Sequence, residues 1–174
     1  MKTLTLAAAY LGSIVAAAWA ITHVGHQYAP GAPHVLPVWP GIEAPSGVYL
    51  VGLTLVLRDV LQRRVGKRVT FGLILVGALL SALISPAVAV ASGLAFLASE
   101  SVDFGVFTLV EPHGLYRAVL ASNAVSIVVD SVIFLSLAFG SLAFVEGQVI
   151  GKALASLAGC AVLVVMHQRR AVMA

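Results

Sequence analysis

Apolar residues in this chain run in long uninterrupted blocks rather than in alternation. The first block covers 3–21, and a second covers 47–64 and closes in Arg58-Asp59-Val-Leu-Gln-Arg-Arg-Val-Gly-Lys-Arg68. Residues 69–110 then stay apolar for 42 positions. At about 1.5 Å rise per residue, that is twice the length one bilayer crossing needs. Ser85-Pro86 marks the turn inside it, because proline is accommodated in the first turn of a helix. The pattern therefore predicts spans at 69–85 and 86–110. Glu111-Pro-His-Gly114 interrupts, a fifth span follows at 116–139, Gly140 and Ser141 begin a turn, and a sixth span covers 143–166. The expected fold is all-α, a single membrane domain over 1–174 built as a bundle of six transmembrane helices.

The stretch 22–46 stands apart. Pro30, Pro33, Pro37, Pro40 and Pro45 lie in it and predict a long polar loop with neither a regular helix nor a central strand. Tyr28 and Trp39 suit a water–lipid interface, so this loop is expected to fold back over the bundle.

Composition supports the membrane reading. The chain is 60% hydrophobic and only 10% charged, with a mean hydropathy of +1.05, whereas soluble domains carry about 25% charge. No Gly-rich phosphate cradle and no ATPase motif is present in the sequence. The pI near 9.4 could point to nucleic acid, but the basic residues sit at the ends of apolar runs, where they orient a membrane protein. With both termini cytoplasmic, Lys2, Arg63, Arg64, Lys67, Arg68, Arg117, Arg169 and Arg170 all fall inside. The remaining two basic residues, Arg58 and Lys152, lie within predicted spans. The expectation is a multi-pass protein of the plasma (cytoplasmic) membrane, with the lipid bilayer and no nucleic acid as its surroundings. Ala18-Trp19-Ala20 resembles a signal-peptidase site, but the run before it exceeds the usual ~7–15 residues of a signal core, so a retained first helix is expected.

Polar groups inside the spans carry the chemistry. Asn123, Ser126 and Asp130 are spaced by three and four, which puts them on one helical face. A carboxylate near the bilayer centre costs about 2.5–3.5 kcal/mol, so it faces a cavity or a partner. Glu100 and Asp103 share a face three apart, two acids that share a proton, await a cation or a donor-rich ligand, or form a structural pair with Lys152 or Arg58. Gln148 and Lys152 are four apart on one face of the last span. Lys152 lies too deep to reach water, and Asp130 is the first choice for its partner, Glu100 the second. Asp59 follows Arg58 near the end of the second span, either as a helix-end carboxylate or facing a cavity. Glu146 reads as solvated. His23, His26 and His34 could be metal ligands, but no matching cluster of acids or cysteines accompanies them; Cys160 reads as a small packing residue. Neither metal nor cofactor is expected. All five histidines fall in loops or at helix ends, and Cys160 has no base near it in sequence, so no enzyme is expected either.

Four motifs together carry a family resemblance. Arg58-Asp59 through Gly66-Lys-Arg68, Ser99-Glu100-Ser-Val-Asp103-Phe-Gly-Val-Phe107, Ala121-Ser-Asn123 through Val129-Asp130-Ser-Val-Ile-Phe134, and Lys152 follow one another in order. Over roughly residues 47–166 the pattern resembles the VUT (vitamin uptake transporter-like) family, the queuosine precursor transporters. Where members often carry an Asn in the first helix, this chain has Ala17-Ala-Trp19. The resemblance implies a membrane transporter importing 7-cyano- or 7-aminomethyl-7-deazaguanine or a similar purine-like base. Its substrate site would then draw on Asp59, Glu100, Asp103, Asn123, Ser126, Asp130 and Lys152. The alternative is a substrate-binding subunit of a vitamin uptake system energised by a separate ATPase complex. Spacing leaves open both that complex and a homo-oligomer. The chemistry agrees with a base: a guanine-like edge presents a ring N–H beside an amine, and one carboxylate can accept both.

Overall fold

The computed structural model describes residues 3–113 and 115–172; within the helices some side chains, those of Asp59 and Cys160 among them, lie outside the description. The described chain is mostly helical. Helix α1 spans Thr3–His23, α2 Val48–Ala82, α3 Pro86–Val110, α4 Leu115–Phe139 and α5 Val145–Val172, with a single 3-10 turn at Glu111–His113 between α3 and α4. Among the described residues, three helices are long and apolar enough to cross a membrane: Thr3–His23, Pro86–Val110 and Ala121–Phe139. Arg68–Ala82 is a shorter apolar helix.

The expected turn at Ser85-Pro86 is present. Pro86 opens α3, and the Ser85 hydroxyl accepts the Val88 N–H at 3.4 Å, satisfying one of the free donors of that helix end. The basic stretch after 64 takes a different form from the one expected. Rather than ending near 64 and restarting at 69, α2 continues through it and breaks at Gly66 alone, with φ 80° and ψ 165°. That left-handed backbone is open to glycine at little cost. Leu57 and Leu61 before the break and Leu73 and Ile74 after it all pack on the cluster around Leu6 and Tyr10 of α1. Both arms of α2 therefore pack against α1.

Lipid tails are as apolar as leucine, so close backbone approach and polar contacts hold such helices together more than burial does. Gly52 of α2 meets α5 where a Cβ would lie 2.4 Å from the Ala155 Cβ and 3.0 Å from the Lys152 carbonyl oxygen. Ala18 and Ile21 of α1, Val88, Ala91 and Ala95 of α3, and Phe134 and Leu135 of α4 form the main apolar cluster.

The stretch 22–46 corrects the expectation of an irregular loop. It folds into a three-stranded antiparallel sheet, β1 His26–Gln27, β2 His34–Trp39 and β3 Ile42–Pro45, in the order β1-β2-β3. Pro37 lies in the central strand, which the proline count had excluded. Ser46 N–H donates to the His34 carbonyl, so the hydrogen-bonded pairs of β2 and β3 fall at 34/46 and, two residues on, at Leu36↔Ala44. Pro37 and Pro45 alternate into positions that need no donor in this ladder. On its other side β2 is paired only at His34 and Val35, so Pro37 stands where that edge is already open. The sheet caps one end of the bundle, with β3 against α5. Gly147 sits under the Glu43 carbonyl there, at a spacing that leaves no room for a side chain.

Tyr28 donates its hydroxyl to Glu43 Oε2 at 2.7 Å. Only the neutral phenol can donate, so this hydrogen bond, with the Glu43 charge adding to it, raises the Tyr28 pKa above its ordinary 10. The group's folded pKa lies above its unfolded one. Its contribution to stability is therefore complete below the unfolded value and lost as pH rises through the folded value. In an alkaline titration of tyrosinate absorbance, the component missing from Tyr28→Phe is expected to titrate above 10. In a Glu43→Ala background it should return toward 10.

Candidate functional site

Among the described residues, four charges inside the bundle form two ion pairs. Lys152 of α5 is 1% exposed and donates to Asp130 Oδ2 of α4 at 2.5 Å and to the Ser131 hydroxyl at 3.1 Å. Ser131 in turn donates to the Ile127 carbonyl at 2.7 Å, which leaves its oxygen to accept from the lysine. The ammonium also lies 6.0 Å from the Phe134 ring centroid. Asp130 was the first-choice partner from the sequence. An unpaired buried ammonium would be costly, and here it has a carboxylate, a hydroxyl and an aromatic face.

The second pair joins Arg58 of α2 to Glu100 of α3, with the guanidinium 5.7 Å from the Phe96 centroid. Arg58 thus takes up one of the two acids whose shared face had suggested a site. The other, Asp103, keeps a buried Oδ1 without a hydrogen-bond partner among the described residues.

A partly open cavity of about 130 Å³ lies among α1 to α5. Its walls are mainly apolar, with Ile14, Ala17, Val88, Phe96 and Phe134 among them, and Asp130, Lys152, Gln148, Thr54 and Tyr10 bring polar groups to it. An apolar cavity of roughly 150 Å³ holds a benzene ring, so this one encloses about one flat ring, and a larger heterocycle would extend through its open side. Tyr10 is 2% exposed, so its phenol is held in the wall rather than in solvent. Gln148 is also 2% exposed, and its Oε1 is buried with no donor among the described residues. Such an orphaned acceptor costs about 1–3 kcal/mol, which a ligand N–H would recover.

Of the residues singled out in the sequence, Asp130 and Lys152 line this cavity. Glu100 stands behind its wall, joined through Arg58 to the Phe96 ring. Asp103, Asn123 and Ser126 do not line it. Asn123 shares a helical face with Asp130 but is two turns away along α4 and exposed, and the Ser126 hydroxyl donates to its carbonyl at 3.3 Å. The side chain of Asp59 lies outside the described residues. Among the histidines, His23 Nδ1 lies 2.7 Å from the Thr22 hydroxyl and His26 Nε2 lies 3.4 Å from Glu43 Oε1.

Gln148, Tyr10, Thr54, Phe96 and Phe134 complete the cavity and were not assigned to a site from the sequence. Gln148 had a usable signal, its four-residue spacing to a buried lysine. The first helix, with no Asn to mark it, supplies Tyr10, Ile14 and Ala17 to the wall.

Residues 81–166 match a family described as "putative vitamin uptake transporter". That range covers α3, α4 and most of α5, and contains both Asp130 and Lys152. No curated protein matches the chain, and no solved structure does.

Proposed function

We propose, on the premise that this chain belongs to the vitamin uptake transporter family, that it carries a small flat polar solute across the plasma membrane by way of the Asp130–Lys152 cavity. The solute is a queuosine precursor, 7-cyano- or 7-aminomethyl-7-deazaguanine, or a similar purine-like base. One observation carries the reading: a mainly apolar cavity at helix depth holds a buried charged pair with a hydroxyl and an amide beside it. Apolar walls suit the faces of a heterocycle, and the few polar groups orient its edge.

Counting the two arms of α2 separately gives six crossings, with both termini in the cytoplasm and the sheet on the outer face. Asp130 and Lys152 then lie toward the outer half. Glu100, Asp103, Asn123, Ser126 and Asp59 stand further along their helices toward the basic inner end, placed to meet the solute after it leaves the cavity.

Uptake of labelled 7-cyano-7-deazaguanine by cells that cannot synthesise it tests this. Cells expressing the native chain should accumulate label at least roughly tenfold above cells expressing Asp130→Asn at equal membrane levels, the loss of one charge-assisted contact. Native protein that reaches the membrane and supports no uptake would refute it. The family's description names vitamin uptake, and a second reading of such uptake is a vitamin-binding subunit energised by a separate ATPase complex. Stable copurification with an ATPase would select that reading.

A further inference from the structure

The residues lining the cavity carry two acceptors that the ion pair does not use, Asp130 Oδ1 and Gln148 Oε1. Lys152 occupies Asp130 Oδ2, so the carboxylate has a single oxygen, Oδ1, that no described residue engages. Oδ2 is already shared with Lys152, so a substrate edge carrying two adjacent N–H donors gains from a second acceptor beside the carboxylate. Gln148 lies four residues before Lys152 on the same face of α5, lines the same cavity, and has a buried Oε1 with no donor among the described residues. A glutamine this deeply buried and unpartnered in an apolar wall is an acceptor held ready for a ligand.

We propose that Gln148 is the specificity-determining residue of the cavity. Its Oε1 accepts one N–H of the substrate while Asp130 Oδ1 accepts the neighbouring one, and Lys152 stays bound to Oδ2. The ligand class is a flat heterocycle with a ring N–H beside an exocyclic amine. Heterocycles of the same shape without the amine leave Gln148 unsatisfied and are rejected, because a buried polar group left unpaired discriminates more strongly than a missing apolar contact. This rests on the reading of the cavity as the substrate site.

The test compares purified full-length native protein with Gln148→Met, which keeps the side-chain length and removes the acceptor. Two probes are used, 7-cyano-7-deazaguanine and its analogue lacking the exocyclic amine, with affinity read by equilibrium binding and folding read by thermal unfolding without ligand. Native protein should bind the amine-bearing base roughly tenfold to a hundredfold more tightly than the analogue. Gln148→Met should bind the two within about twofold of each other, with weaker binding of the amine-bearing base. Its ligand-free unfolding temperature should be unchanged or higher, since an unsatisfied buried acceptor has been removed. If native protein discriminates and Gln148→Met discriminates equally, the assignment of Gln148 is wrong while the cavity reading stands. A marked fall in the ligand-free unfolding temperature of Gln148→Met would make Gln148 a structural residue and also overturn the assignment. If native protein binds neither base, both the cavity reading and the inference fail.

Discussion

Lys152→Met should lower the stability of the folded chain by about 3–5 kcal/mol, because it leaves Asp130 charged and unpaired among apolar helices. The lower end of that range is expected, since the Asp130 side chain keeps 24% of its surface exposed and the Lys152 side chain only 2%. Uptake should be lost together with stability. The single variant cannot separate a structural lock from a substrate contact, but the double variant Asp130→Leu/Lys152→Met can. Replacing a whole buried ion pair with apolar side chains is often neutral or stabilising, so the double variant should regain most of the native unfolding temperature. It should nonetheless remain inactive, because the groups that orient the substrate are gone. Thermal unfolding in detergent beside uptake in cells reads both quantities. A double variant that regained stability and transport together would make the pair a lock alone.

Gly52→Val should have the second largest effect. A Cβ at this position would lie 2.4 Å from the Ala155 Cβ and 3.0 Å from the Lys152 carbonyl oxygen, far inside van der Waals contact. The clash involves backbone on both sides, so α2 and α5 must separate. Overpacking of this kind costs about 1–3 kcal/mol, and more where the backbone has to move. The displaced segment of α5 carries Lys152 itself, so uptake should fall by roughly tenfold or more even in protein that still folds. Gly72→Val is the control, at a glycine of the second arm of α2 where an added Cβ would meet nothing within 4 Å, and it should retain uptake. Equal behaviour of the two variants would contradict the close seating of α2 against α5.

The helical skeleton was legible because proline and glycine punctuate it unambiguously. Pro86 starts α3, the Glu111-Pro-His stretch becomes the 3-10 turn, and Gly140, with φ 63°, ends α4. Lys152 and Asp130 were legible as a pair because charge at that depth needs a partner, and few candidates exist. The sheet over 26–45 was not legible, since proline density reads as loop until the register is known. Pro37 and Pro45 are tolerated only because pairing alternates, and alternation depends on which strand lies beside which. The cavity was only half legible for a similar reason. Spacing along one helix shows which residues share a face, but it does not show which turn of that face meets a neighbouring helix. Asn123 and Asp130 share a face, and only Asp130 reaches the cavity. Glu100 and Asp103 read either as a site or as a structural pair with Lys152 or Arg58, a choice spacing does not make, and Arg58 from another helix claims Glu100. Tyr10 and Phe96 carry no charge in an apolar background, so nothing in the sequence distinguished them from packing residues.

The central claim is that a flat base binds beside Asp130 and Lys152. It is tested most directly by the thermal stability of purified protein with and without 7-cyano-7-deazaguanine. Ligand at a hundredfold excess over its dissociation constant stabilises the folded state by about 2.7 kcal/mol. The native chain should therefore unfold several degrees higher in its presence, and Asp130→Leu/Lys152→Met, with its own fold intact, should show no shift. An equal ligand-induced shift in the native chain and the double variant would place the binding site elsewhere and contradict the account.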